Sequence, residues 1–362
     1  MIVKDVTNYL ESIAPLQLQE SYDNAGLIIG DDSQQLKGVL VCLDVDEKVI
    51  NEAIDTNSNL IIAHHPIIFN GVKKINPTNY IGKLIYKAIK KDICVYAIHT
   101  NVDNVLNGVN GKIADLIGLV DRSIMQPKKN LMKLTVFTPN DYAESVKNVV
   151  FKAGGGSIGN YSNCSFSSFG MGTFKANKLA KPFIGSADKE ESQEEVKLEI
   201  VLPAFLKNKI ITAMIKAHPY EEVAYDLIPL ENNSNFGAGI VGSLKKPVNE
   251  KEFLKEIKKI FRVNSLRYTK LLNKPIKRVA ICGGSGSFLL ENAINLGADI
   301  FITSDFKYHQ FFDADGKIII ADLGHYESEQ YTIELIADLL MKNFTNFAIR
   351  LTSVNTNPIN YL

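Results

Sequence analysis

Thiols are scarce in this 362-residue chain, and the few present are placed apart. Its four cysteines, Cys42, Cys94, Cys164 and Cys282, stand singly, with none of the CxxC pairs that structural zinc sites use. Three of them lie inside apolar runs (VCLD, ICVYAI, AICGG) and read as buried free thiols. Neither sign of charge is in excess, because 40 basic residues balance 40 acidic ones. That balance removes the broad electrostatic footprint of a nucleic-acid binder and argues against such a partner. No run of 18 apolar residues is available to span a membrane, so none is expected as a partner. The N-terminal MIVKDVTNYLESIAP breaks its apolar residues with charges, unlike a signal peptide. The cytoplasm is the expected compartment. What the chain does have is 46% hydrophobic and 22% charged residues, a globular composition, and enough length for two or more domains.

From Lys37 onward, apolar runs alternate with amphipathic segments. KGVLVCLD, NLIIAHH and ICVYAIHT read as strands; EKVINEAIDT, NYIGKLIYKAIKK and NGKIADLIGL read as helices between and after them. Strands apolar on both faces and separated by helices suggest parallel βαβ units covered on both sides. Near residue 128 the rhythm changes. KLTVFTP alternates like a half-exposed strand, YAESVKNVVFKAG is helical, and a Gly/Ser/Asn-rich passage leads to a charged turn, DKEESQEE. VKLEIVLP, AFLKNKIITAMIKAHP and AYDLIPL then read as strand, helix and strand. This βα–ββ–αβ order is that of a ferredoxin-like α+β unit, expected as a domain of residues 128–232 inserted into a discontinuous α/β domain of residues 1–127 and 233–362. Beyond the insert, RVAICGG, ADIFITSD, KIIIADLGH and NFAIRLTSVN are expected strands, and the two flanking parts are expected to form one layered, mostly parallel sheet domain.

The residues able to do chemistry gather at the carboxyl ends of these strands, where α/β folds place their sites. One strand ends in His64-His65, another in His99-Thr100-Asn101-Val102-Asp103, a third in Ser304-Asp305 and a fourth in GHYESE, Gly324 to Glu329. Only six histidines exist, and a lone one after a strand is more often a hydrogen-bonded structural residue than a ligand. An adjacent pair is different. Along an extended strand the two rings would point to opposite faces, but Pro66 removes a backbone donor and breaks the strand, so both can turn to one place. In GHYESE a helix starting at His325 puts Glu329, four residues on, on the same face; Glu327 points elsewhere, as a solvated or supporting carboxylate. The ligand set is therefore His64, His65, Asp103, His325 and Glu329. Five donors divide over two metal ions if one carboxylate bridges. Mixed nitrogen and oxygen ligands suit Zn, Mn, Fe, Co or Ni alike. His99 would be a further ligand or would orient Asp103, Asp305 and His309 (SDFKYH) would orient ligands, and any of the three could carry protons.

Two other motifs carry weaker signals. The turn CGGSGS, Cys282 to Ser287, could cradle a phosphate on its amides, yet it lacks both the Walker lysine and the GxGxxG spacing. A tight turn bringing helix and strand together explains it at least as well. His218 in AHPYEEVAYDLIPL is followed by helix-ending Pro219 and is not expected to bind metal.

Seven separated blocks, SYDNAGLIIG, LIIAHHPIIF, AIHTNVDNVLNGVN, AHPYEEVAYDLIPL, AICGGSGS, ITSDFKYH and LGHYESE, occur in an order that resembles the Nif3-like family of dinuclear-metal-centre proteins, often labelled GTP cyclohydrolase 1 type 2 homologues. The resemblance implies a toroidal homohexamer with metal pairs facing an internal cavity, and an insert similar to PII/CutA-like domains. It places the ligands on the same five residues, with His65 and Asp103 on one metal, His64 and His325 on the other, and Glu329 bridging. Asn24 and the DNAG block would line the approach. The activity so implied is metal-dependent hydrolysis of a nucleotide or related small molecule. The alternative is a non-catalytic hexameric scaffold or regulator with a ligand-sensing insert.

Overall fold

A computed structural model describes residues 1–362 and resolves them into two compact units, one of Met1–Pro127 with Phe236–Leu362, the other of Lys128–Asn235. The larger unit contains two sheets rather than the single one expected. In the first, strands Gly26–Ile29, Cys94–Ala97, Leu60–Ala63, Gly38–Cys42 and Ala348–Leu351 lie side by side; only the first pair is antiparallel. Gly38–Cys42 and Leu60–Ala63 are buried at every position, which is why they read as continuous apolar runs. Helices Glu47–Asp55 and Tyr80–Lys90 supply the crossovers. Each starts on a side-chain cap: Asp46 accepts from the Val49 amide and Asn79 from the Gly82 amide. The second helix buries Leu84, Ile85 and Ala88, and its apolar spacing follows the helical repeat.

The second sheet is mixed, which corrects the expectation of a mostly parallel one. Its order is Arg267–Tyr268, Ile319–Asp322, Ile300–Ser304, Ile276–Ser285, Gly237–Val248 and Val120–Pro127. The Ile276, Ile300 and Ile319 strands run parallel, whereas the remaining pairings are antiparallel. The physical reason lies at the point where the chain leaves this unit and returns to it. It departs along Val120–Pro127 and comes back along the adjacent Gly237–Val248, with Gly237 opposite Pro127, so no crossover helix is needed. Neither strand was anticipated, because one is half exposed and the other is rich in glycine and lysine. Helix Val3–Ile13, also unanticipated, buries Val3, Val6 and Leu10 in a core shared with both sheets.

The smaller unit is a four-stranded antiparallel sheet in the order Phe166–Lys175, Glu190–Pro203, Leu131–Pro139, Tyr225–Leu230. Helices Ala143–Lys152 and Lys207–Ala217 bury Val146, Val150, Ile210 and Met214 in one core with Leu134, Val136, Leu198 and Ile200 of the sheet. The expected charged turn, DKEESQEE, is mostly strand. Its glutamates pair across from the Gly/Ser-rich Phe166–Lys175 segment, from Lys175 opposite Glu190 to Gly170 opposite Glu195. Backbone pairing with a ready partner overrides the poor strand preference of glutamate.

Candidate metal centre

In the larger unit the parallel strands of both sheets deliver their carboxyl ends to one place. Ladder bonding continues into the histidine pair, since the His64 amide donates to the Cys42 carbonyl (3.1 Å) and the His65 amide to that of Leu43 (2.9 Å). Each ring is then fixed through Nδ1. His64 Nδ1 sits 2.9 Å from the Ile98 carbonyl and His65 Nδ1 2.8 Å from Asp44 Oδ1. A donor must face a carbonyl oxygen, so His64 presents its Nε2 lone pair, and Asp44 sets His65 the same way. His325 repeats the arrangement, with Nδ1 2.6 Å from Asp305 Oδ2. Asp305 adopts a left-handed backbone (φ 59°), which aspartate tolerates better than most residues.

All five expected ligands converge. His65 Nε2 and His325 Nε2 lie 3.3 Å apart, and Glu329 Oε2 lies 3.0 Å from the first and 3.2 Å from the second. Two donors at a tetrahedral angle around an ion with bonds of about 2.0–2.2 Å would lie about 3.3–3.6 Å apart. Across the carboxylate, Glu329 Oε1 is 3.7 Å from His64 Nε2, which is 3.8 Å from Asp103 Oδ1. The nearest neighbours are thus His65 with His325 and His64 with Asp103, whereas the resemblance implies His65 with Asp103 and His64 with His325. The helix His325–Glu329 explains this: residues four apart on one turn face the same partner, and that partner is His65.

These atoms fit a cation rather than one another. His64 Nε2, Asp103 Oδ1 and Glu329 Oε2 are buried with no hydrogen-bond partner, although each has other polar atoms nearby. Such groups cost free energy unless something satisfies them. Burial, reinforced by the neighbouring Glu329 charge, pushes Asp103 well above the usual carboxylate range. Burial also acts on Glu329, yet the nearby His325 and His64 imidazoles outweigh it and hold Glu329 well below that range. Burial alone would lower His65 and His325, but Asp44 and Glu329 raise His65 to about 10, and Asp305 and Glu329 raise His325 to about 11. A bound cation must displace those protons, so its affinity rises with pH.

The other expected residues fall into three groups. His99 offers a ring nitrogen within 4.8 Å of those of His64 and His65, but its Nδ1 bonds Asp23 (2.7 Å) rather than orienting Asp103. Asp305 orients His325, as described. His309 is not brought in; it is exposed, and its ring contacts are with Tyr308 and Phe312. Glu327 is buried rather than solvated, and accepts from Asn357 Nδ2 of the C-terminal segment (2.9 Å). In the smaller unit both His218 nitrogens are used, by the Phe137 carbonyl (2.9 Å) and the Tyr220 amide (3.1 Å).

The CGGSGS turn serves the cluster from behind. Gly284 has φ 62°, and a Cβ there would stand 2.2 Å from Glu329 Oε1, so only glycine lets the strand pass this carboxylate. Its amide donates to Ser328 Oγ and that of Gly283 to Asn110 Oδ1, both at 2.9 Å. Sequence reasoning missed Asp44 and Asp23. Both had a signal: Asp44 closes the apolar run VCLD at a strand end, and Asp23 belongs to the DNAG block, where Asn24 was favoured. Asn24 instead donates to the Ile68 carbonyl (2.8 Å). Beside the cluster opens a pocket of about 570 Å³ that reaches His65, His99, His325 and Glu329.

The family model of Duf34/NIF3 (NGG1p interacting factor 3) matches residues 1–358. A protein of Halalkalibacterium halodurans named GTP cyclohydrolase 1 type 2 homolog is 40% identical over 365 residues, covering 99% of this chain and 98% of its own. Among solved structures, a Bacillus cereus protein related to NIF3 superposes with a TM-score of 0.85 at 36% identity, covering 100% of this chain and 99% of that one. Staphylococcus aureus protein SA1388 gives 0.79 at 31%, with the same coverage. Likeness of this extent runs through both sheets, the smaller unit and every strand end that feeds the cluster, and the chain belongs to the Duf34/NIF3 family.

Proposed function

We propose that this protein is a metal-dependent hydrolase that holds two divalent ions, one between His65, His325 and Glu329, the other between His64, Asp103 and Glu329. The observation that carries this reading is the set of buried, unpartnered donor atoms facing one another beside an open pocket. When bound, such ions supply Lewis acidity and a water nucleophile at neutral pH. The chain's own part is to orient and to move protons. Asp44 and Asp305 fix the two rings, and Gly284 leaves room for the Glu329 carboxylate. Of the three residues considered as proton carriers, His99 alone lines the pocket. Asp23 holds its Nδ1, so the opposite nitrogen is the one that would exchange a proton with a reacting molecule. The substrate class is a nucleotide or related compound.

A structural role has its own support. Three of the donors hang from the first sheet and two from the helix following the second, so cations there would clamp the two sheets together. In that reading the protein is a scaffold or regulator in the cytoplasm, assembled as a toroidal homohexamer, with a PII/CutA-like smaller unit as its ligand sensor. One pair of measurements separates the two. Metal-loaded protein is screened against nucleotides and related compounds, and the His65→Ala/Glu329→Ala double variant is compared for turnover, metal content and assembly by sedimentation. Turnover that disappears with the metal supports the hydrolase. If the parent turns over nothing and the variant loses its metal and its assembly together, the scaffold reading stands.

A further inference from the structure

The pocket beside the cluster has an unusual lining for a protein whose relatives carry a nucleotide-triphosphate label. No lysine or arginine faces it, whereas Glu20, Asp44, Asp103 and Glu329 do. Asp23 and Asp305 add two more carboxylates directly behind His99 and His325. Two divalent ions would bring four positive charges to a site already holding six carboxylates. Phosphate chains are normally met by Arg or Lys forks, or by free amides at a helix start. In the glycine-rich turn, the amides of Gly283 and Gly284 are already spent on Asn110 and Ser328.

Flat apolar surface is what the pocket offers instead. Phe69 is 51% exposed, Phe288 58%, Tyr22 69% and Tyr80 61%, and all four line it. Phe69 also stands edge-on to the His99 ring, with centroids 5.8 Å apart. Aromatic side chains left open around one cavity gain most by stacking on another ring.

We propose that the molecule taken by this site is an uncharged heteroaromatic ring compound, such as a nucleobase or nucleoside, without a phosphate chain, stacked against Phe69 and Phe288. This rests on the pocket being the substrate site of the proposed hydrolase, and its test is a binding measurement that does not need turnover. Metal-loaded full-length protein is titrated calorimetrically with guanosine, GMP, GTP and inorganic triphosphate, with metal content checked after each titration. Guanosine is expected to bind about tenfold or more tighter than GTP, with GMP between. Inorganic triphosphate should not compete with it. Phe288→Ala and Phe69→Ala, both exposed positions that leave the cluster intact, should each weaken guanosine by about tenfold. GTP binding tighter than guanosine, competition by triphosphate, or no ring compound binding at all would each overturn the proposal. Guanosine that binds as expected but is never converted would sink the hydrolase reading alone.

Discussion

Two buried histidines, one in each unit, show what separates a candidate ligand from a structural residue. His64 in the larger unit is fully buried, and His218 in the smaller is 7% exposed, so burial does not distinguish them. Their second nitrogens do. His218 spends Nε2 on the Phe137 carbonyl and Nδ1 on the Tyr220 amide, which closes its hydrogen-bonding account within its own unit. His64 spends Nδ1 on the Ile98 carbonyl and leaves Nε2 buried without a hydrogen bond, facing Glu329 and Asp103. A histidine with both nitrogens satisfied has no donor to spare; one with a nitrogen left over can offer it to a cation.

The contrast breaks most visibly at Glu329, which serves both donor groups. Glu329→Gln keeps the shape and removes the charge, and metal affinity should fall by well over about 100-fold, read as metal retained after dialysis. Gly284→Ala tests the same carboxylate from the other side, because its methyl would stand 2.2 Å from Oε1. Next come the orienting carboxylates. Asp44→Asn and Asp305→Asn leave all five donors in place, yet each should cost about 10–100-fold in metal affinity by loosening His65 or His325. Should either variant bind metal as the parent does, the rings are held by packing and the carboxylates are incidental. His218→Ala sharpens the other arm. It should leave metal content unchanged and destabilise the smaller unit by about 1–3 kcal/mol, measured by urea denaturation, because a buried carbonyl and amide lose their partner.

Much of this was legible in the sequence because strand ends in α/β folds carry the chemistry. The five side chains that converge could be picked from HH, HTNVD and HxxxE by position alone, and CGGSGS could be seen as a turn. What could not be read is which donor faces which. That depends on how the second sheet lies against the first, a property of distant packing that no local spacing encodes. For the same reason Gly284 reads as a turn residue but not as the glycine that lets Glu329 in. The strands Val120–Pro127 and Gly237–Val248 were hidden differently: each pairs with a partner more than a hundred residues away, across the inserted unit. Glu190–Glu195 looked like a turn because glutamate disfavours strands, and only its hairpin partner decides otherwise.

The smallest expected effect concerns Asp23, which supports His99 without belonging to either donor group. Its carboxylate also receives the Thr100 amide and hydroxyl and the Asn24 amide. Burial would raise its pKa, but the bonds from His99 and Thr100 win and hold it at about 2. The sign follows from that depression. A carboxyl titrating lower in the folded chain than in the unfolded one stabilises the fold at pH values above its unfolded pKa, about 3.9, and loses that contribution as pH falls toward 2. Asp23→Asn should therefore be less stable than the parent by about 1 kcal/mol at neutral pH, once solvent screening is allowed for. The two urea midpoints should converge between about pH 4 and pH 2. Both proteins are measured in chelator, so that metal loss is not the variable. A gap that stays constant with pH would mean that Asp23 contributes through packing, and that its charge does not hold His99 in place.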